Sequence, residues 1–442
     1  MAKKIDRMER GLVELYHDDP ERADWLVFGR KAGPDRRGFL RGAGLASMGA
    51  LLGTTMPFSA NMPLGLIPNA LADTRDEFSF DSKHGDLIIH NDRPVNVETP
   101  VHLLDDDVTP SDIHFIRNNG GMPMPISKAD WRLTIDGEVN EPLELSYDQL
   151  MNDFEHVTLR LQLECGGNGR AGFNPLPRGN PWTIGAIGNA EWTGVRLADV
   201  LKAAGVKESA VYTGHYGNDV HLSGDEEKEV ISRGVPIEKA LEEDAVIAWA
   251  MNGEPLPALH GFPLRLVVPG VQGVSWVKWL RRIEVGEMPW ATKDEAVHYI
   301  DLMPDGLHRQ YSSIQECKSV ITTPSGGQTL LDKGFYNVSG LAWSGRGKIT
   351  RVDVSTDGGI NWRTARLETP VLSKALTRFN IDWVWDGKPA ILQSRAMDDT
   401  GYVQPSYGQL RAVRGTKSIY HNNAIQSWKV VESGEVSNVQ VL

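Results

Sequence analysis

Val157-Thr-Leu-Arg-Leu-Gln-Leu-Glu-Cys-Gly-Gly-Asn-Gly-Arg170 is the stretch on which the reading of this chain turns. Val157, Leu159, Leu161, Leu163 and Cys165 share one parity, while Arg160, Gln162 and Glu164 share the other. Such alternation reads as a strand that carries a thiol inward at its own end. Gly166, Gly167 and Gly169 then remove side chains where a bulky group has to approach the backbone. Arg170 sets a fixed positive charge beside them. The run from Gly167 to Gly172 also satisfies the G-x-G-x-x-G dinucleotide pattern. That pattern works only when a helix N-terminus faces the pyrophosphate, and Pro175, Pro177 and Pro181 exclude a helix here.

Outward from this strand the chain reads as two unlike halves. Residues 131–135 alternate and stop at Asp136-Gly137, which predicts a strand and a tight turn. Residues 146–151 and 197–204 are predicted helices, the second stopped by Gly205. The apolar run 264–268, bounded by Pro263 and Pro269, predicts a buried strand. Beyond Cys317 the pattern changes to short strands at 349–354, 360–365 and 390–397, with a turn at Asp357-Gly358-Gly359. This predicts an all-β sandwich of immunoglobulin-like type. The expected class is therefore α+β, a mixed domain followed by a sandwich. The expected divisions are a signal region over 1–72, an extended arm with little regular structure over 73–115, a catalytic domain over 116–316 and the sandwich over 317–442.

The N-terminal region indicates where the protein works. Asp35-Arg36-Arg37-Gly38-Phe39-Leu40 places a twin arginine before an apolar, glycine-rich stretch, and Ala70-Leu71-Ala72 offers a small-x-small cleavage site. This resembles a twin-arginine export signal, which implies a periplasmic protein. A retained membrane anchor is the alternative, but Arg41, the many glycines and Pro57 make a poor spanning helix. With signal removal, no membrane association is expected. A twin-arginine signal carries folded proteins and so hints at a prosthetic group. Only two cysteines occur, Cys165 and Cys317, and an oxidising compartment would permit a disulfide between them. The net charge of -12 argues against nucleic acid and favours a basic protein partner.

Four separated segments carry a family resemblance: Phe115-Ile-Arg-Asn-Asn119, Leu163-Glu-Cys-Gly-Gly-Asn-Gly-Arg170, His260-Gly-Phe-Pro-Leu-Arg265 and Val277-Lys-Trp-Leu280. Together, in this order and spacing, they resemble the sulfite oxidase family of molybdenum enzymes, with the likeness running from Arg93 to Trp428. The resemblance implies molybdenum held on molybdopterin, with Cys165 as the protein's thiolate ligand; thiolate is the soft donor such a metal requires. It further implies that His260, Arg265 and Lys278 hold the cofactor together with Phe115, Ile116, Arg117, Asn118, Asn119, Asp219, Trp276 and Val277. Cationic and hydrogen-bonding groups suit its phosphate and polar pterin. Arg117 and Arg170 match anion-binding arginines, Tyr299 an active-site tyrosine and Trp182 a pocket tryptophan.

Two positions depart from the family pattern. Asn119 stands where a histidine is usual, and the stretch 422–427 has no basic residue to serve as a third substrate arginine. No Cys-x-x-Cys-His occurs, so no heme is expected in this chain and electrons are expected to pass to a separate cytochrome c. The sandwich implies a homodimer. The resemblance leaves two activities open, a sulfite dehydrogenase and the molybdenum subunit of a sulfane dehydrogenase acting on carrier-bound sulfur. A non-enzymatic exported sandwich protein is the alternative of another class.

Overall fold

The computed structural model describes residues 8–10, 83, 85–225, 227–290, 292–309 and 314–441. The twin-arginine segment and the proposed cleavage site lie outside the described residues. Among the described residues no helix is long and apolar enough to cross a membrane.

Short helices form where capping chemistry specifies them. In Tyr147–Asp153 the Ser146 hydroxyl accepts from the Gln149 N–H and the Gln149 side chain returns the bond, a complete capping box. Leu197–Ala204 buries Leu197, Val200, Leu201 and Ala204, and ends at Gly205 with φ 68°, a left-handed position that glycine adopts at little cost. The predicted turn at residue 137 also needs glycine: φ is 86°, and a Cβ there would lie 2.1 Å from the Val285 carbonyl oxygen.

The rest of the first half is mostly β. One sheet runs Glu254–Pro255, Val246–Met251, Ile187–Arg196, His156–Glu164, with Arg265–Val267 also paired to Val246–Met251. A second runs Ser232–Pro236, Tyr212–Gly217, Leu280–Gly286, Arg132–Gly137, Leu143–Ser146, and its only parallel pair joins Leu280–Gly286 to Arg132–Gly137. The two share one apolar core that includes Leu133, Ile135, Trp192, Val246, Leu266 and Ile283. The predicted buried strand at 264–268 is present as Arg265–Val267.

The second half stacks two further sheets over a separate core containing Val320, Leu341, Trp343, Val352, Phe379 and Leu392. Ile349–Ser355 and Ala390–Asp398 match the predicted strands. The expected strand over 360–365 is reduced to Arg363–Thr364. The Asp357 carboxylate takes the N–H groups of Ile360 and Asn361 into its turn, so these residues do not join a ladder.

The expectation for the arm is corrected here. The arm, expected to hold little regular structure, contains a hairpin of Ile88–Asp92 and Val95–Glu98 that pairs onward to Ile116–Arg117. Buried Glu98 anchors it, accepting from the Thr183 N–H and hydroxyl, the Gly185 N–H and the His90 ring. The polar parity of His156–Glu164 turns inward at its C-terminal end. Gln162 and Glu164 are buried against the second half, where Gln315, Lys318 and Trp343 donate to them or receive from them. Cys165 and Cys317 are both free thiols and belong to different cores.

Candidate functional site

The strand His156–Glu164 delivers Cys165 to the wall of a cleft. The thiol's backbone is fixed on both sides: Cys165 N–H donates to Ala186 O at 2.9 Å, and Asn168 N–H to Cys165 O at 2.9 Å. The Gly167 N–H donates to Sγ at 3.4 Å. Glu164 beneath it is fully engaged by Lys318 Nζ at 3.3 Å, Asn168 Nδ2 at 2.9 Å and Trp343 Nε1 at 2.9 Å. The thiol therefore sits on a rigid pedestal built partly from the second half.

The glycines around it prove to make room for protein side chains. A Cβ on Gly166 would fall 1.9 Å from Gln272 Oε1, and one on Gly167 would lie 2.7 Å from the Arg170 guanidinium. The close approach expected from the sequence is present, but Gln272 and Arg170 make it.

Phe115, Arg117, Asn118, Asn119, Asp219, His260, Arg265, Trp276, Val277, Lys278 and Tyr299 all line the same cleft as Cys165. Three residues expected there do not. Ile116 is buried on the strand that pairs with Val97, because alternation turns it away from the side taken by Phe115 and Arg117. Trp182 is fully buried and packs edge-on against Phe115 at 6.3 Å. Arg170 lies beside the thiol but is spent on structure: Nε donates to Ile419 O and Nη1 to Asn180 O, both at 3.1 Å, and its guanidinium stacks over Tyr420 at 5.4 Å.

Cations without carboxylate partners dominate the cleft. Lys278 Nζ donates to Asn118 Oδ1 and to Leu259 O at 2.9 Å. Arg265 donates to His260 O at 3.1 Å and Trp276 O at 3.2 Å, while its Nε has no partner. Arg117 donates to Asn118 O and to the side chains of Asn119 and Asn96. Among the described residues none of these three forms an ion pair with a carboxylate. Burial pushes Arg265 down to about 9, and burial with the nearby Arg265 charge pushes Lys278 well below the ordinary lysine range. Burial lifts Asp219 to about 6, so this carboxylate, the one on the wall among the described residues, compensates poorly. Buried, unneutralised cations are costly unless an anion joins them. Tyr299, at φ 55°, stacks on Tyr420 at 4.9 Å, and burial raises its phenol above the usual range, which keeps it a hydrogen-bond donor at neutral pH.

Residues the sequence gave no reason to select complete the site. The segment 418–422 closes over the glycine loop: His421 N–H donates to Gly166 O at 2.7 Å and Asn422 Nδ2 to Gly169 O at 2.8 Å. Lys83 reaches His260 from far up the chain. No local pattern marks such long-range partners.

The cleft joins a soft sulfur donor to cations without carboxylate partners, a lining suited to an anionic ligand. No group of three or more metal-ligating side chains occurs among the described residues. Residues 119–293 match an oxidoreductase molybdopterin binding domain and residues 311–428 a Mo-co oxidoreductase dimerisation domain. The sulfite oxidase of Gallus gallus is 36% identical over 67% of this chain and 67% of its own length. Human mitochondrial sulfite oxidase is 36% identical over 67% of this chain, a match that spans only 56% of the human protein. The solved sulfane dehydrogenase SoxCD from Paracoccus pantotrophus superposes with a TM-score of 0.74 at 39% identity, over 89% of this chain and 99% of that one. This chain belongs to the sulfite oxidase family of molybdenum oxidoreductases.

Proposed function

We propose that the chain is a periplasmic molybdenum dehydrogenase that oxidises sulfite to sulfate and passes the electrons to a separate cytochrome c. The observation that carries the reading is the joining, in one cleft, of the Cys165 thiol with the uncompensated cations Arg117, Arg265 and Lys278. Lys278, Arg265 and His260 hold the phosphate and pterin, and Cys165 is the protein's ligand to the metal. When bound, the cofactor supplies oxygen-atom transfer and a two-electron sink; the overall change is sulfite plus water to sulfate, two protons and two electrons. Arg117 binds the substrate oxygens through its planar fork, and the protonated Tyr299 phenol donates to the same anion. Bulk water is kept from the reacting side by Tyr299, backed by Tyr420. Export by the twin-arginine signal, a homodimer formed through the sandwich, and the absence of heme from this chain belong to the same proposal.

The likeness to a solved sulfane dehydrogenase over nearly all of that chain favours a second reading, in which the oxidised atom is sulfane sulfur. The tethering of Arg170 to backbone carbonyls also points that way, because it leaves Arg117 with less help in gripping a dianion. Purified protein should hold about one molybdenum per chain, the single thiolate ligand setting that count, and should reduce ferricyanide and cytochrome c with sulfite. Molybdenum with turnover on a persulfide but not on sulfite would select the second reading. Protein without molybdenum from a replete host would sink both.

A further inference from the structure

Lys83 reaches His260, a residue of the cleft wall, from ahead of the first hairpin. A lysine ammonium has three N–H donors and no acceptor, and three acceptors surround this one: Ser111 O at 2.5 Å, His114 O at 3.0 Å and His260 Nε2 at 2.9 Å. The imidazole nitrogen that faces it must therefore offer a lone pair. This places the His260 proton on Nδ1.

The other side of the ring has no such partner. His260 is 2% exposed and lines the cleft, and no described residue hydrogen-bonds its Nδ1. Its orientation is held from several directions. The His114 ring packs edge-on at 5.2 Å, and Arg265 Nη1 donates to the His260 carbonyl at 3.1 Å. Burial first, then the positive fields of Lys83, Arg265 and Lys278, keep the ring uncharged.

Building on the proposed function, we infer that Lys83 is a positioning residue that fixes the His260 tautomer, so that the ring presents an Nδ1–H donor to the anionic, acceptor-rich part of the cofactor. Without Lys83 the proton is free to move to Nε2. A lone pair would then face the anion and repel it. The lysine acts from outside the cofactor's contact shell, as the carboxylates and carbonyls behind metal-binding histidines do.

The test uses the full chain and four variants, Lys83→Met, Lys83→Gln, His260→Phe and Lys83→Met combined with His260→Phe. Nitrogen-15 spectra of histidine-labelled protein, with the His260 signals assigned by their loss in His260→Phe, should show Nδ1–H in the wild type and a shift toward Nε2–H in Lys83→Met. Lys83→Gln keeps an N–H donor and should keep the wild-type signal. Molybdenum and pterin should be lost on dialysis roughly 10–100-fold faster from Lys83→Met, the usual penalty for an outer-shell partner. In the His260→Phe background the same change should add nothing. Unchanged imidazole signals in Lys83→Met, or equal acceleration of loss in both backgrounds, would overturn the inference. A wild type that carries neither molybdenum nor pterin would overturn the functional reading as well, whereas the imidazole spectra decide the Lys83–His260 pairing on their own.

Discussion

Arg117 and Arg170 look alike in the sequence and differ in what their guanidiniums are free to do. Arg117 faces the cleft, braced by Asn118 O and the side chains of Asn96 and Asn119; Arg170 lies outside the lining, tied to Ile419 O and Asn180 O. Arg117→Gln should lower kcat/KM for the anionic substrate roughly tenfold or more through KM, the scale of one hydrogen bond to a charged group at about 1.5–3 kcal/mol, along with some loss of stability from the donors that Asn118 O and Asn96 lose. Arg170→Gln should instead act mainly on the melting temperature, because two buried carbonyls lose their donor at about 1–3 kcal/mol each. Steady-state kinetics with thermal melts on both variants separate the two roles, and a KM effect from Arg170 with no stability loss would return it to the substrate pocket. Cys165→Ala should abolish turnover and metal retention at a stability cost of about 1 kcal/mol, as for an ordinary core truncation; metal analysis and melting check it.

At the scale of elements, the sequence was legible wherever local chemistry decides. The helix Leu197–Ala204 with its Gly205 stop and the turn at Gly137 occur where the pattern places them, and the helix expected over 146–151 is Tyr147–Asp153, with Ser146 as its cap. The hairpin Ile88–Asp92/Val95–Glu98 was not legible, because Glu98 secures it through Thr183 and Gly185 far along the chain. The Cys165 loop lies between these cases. Its glycines were readable as a close approach, but which groups approach was not. Gly166→Ala should force Gln272 from its place and cost about 1–3 kcal/mol, the usual price of overpacking; urea unfolding measures it, and a neutral result would show that Gln272 has room to move.

For the molecule as a whole, the two halves meet in the buried pair of Lys318 and Glu164, directly under the thiol. Lys318→Ala leaves a buried carboxylate without its cation and should destabilise the protein by about 3–5 kcal/mol, measurable by denaturant unfolding. Lys83, behind the cleft wall, also gives stability a pH dependence. Burial holds its ammonium down to about 8, whereas the unfolded chain keeps that proton up to 10.5. Between these values the unfolded state binds more protons, so the cofactor-free protein should gain stability as pH rises from about 8 to 10. Melting curves of the wild type and of Lys83→Met across that range test this, and the same gain in both would mean that Lys83 is not its source.

The sequence by itself determined the local geometry: the strand that carries Cys165, the glycine loop that lets groups close upon it, the helices and turns set by caps, and the segments from which the cleft is lined. These follow from side-chain parity, capping and steric exclusion, which act over a few residues. Only the tertiary structure decided that Gln162 and Glu164 are buried against the second half, that Ile116, Trp182 and Arg170 stand behind the cleft, and that Lys83 and the segment 418–422 complete it. Those choices rest on hydrogen bonds and desolvation between residues far apart in the chain, such as Lys83 with His260 and Arg170 with Ile419. Their energies exist only once the fold has brought the partners together.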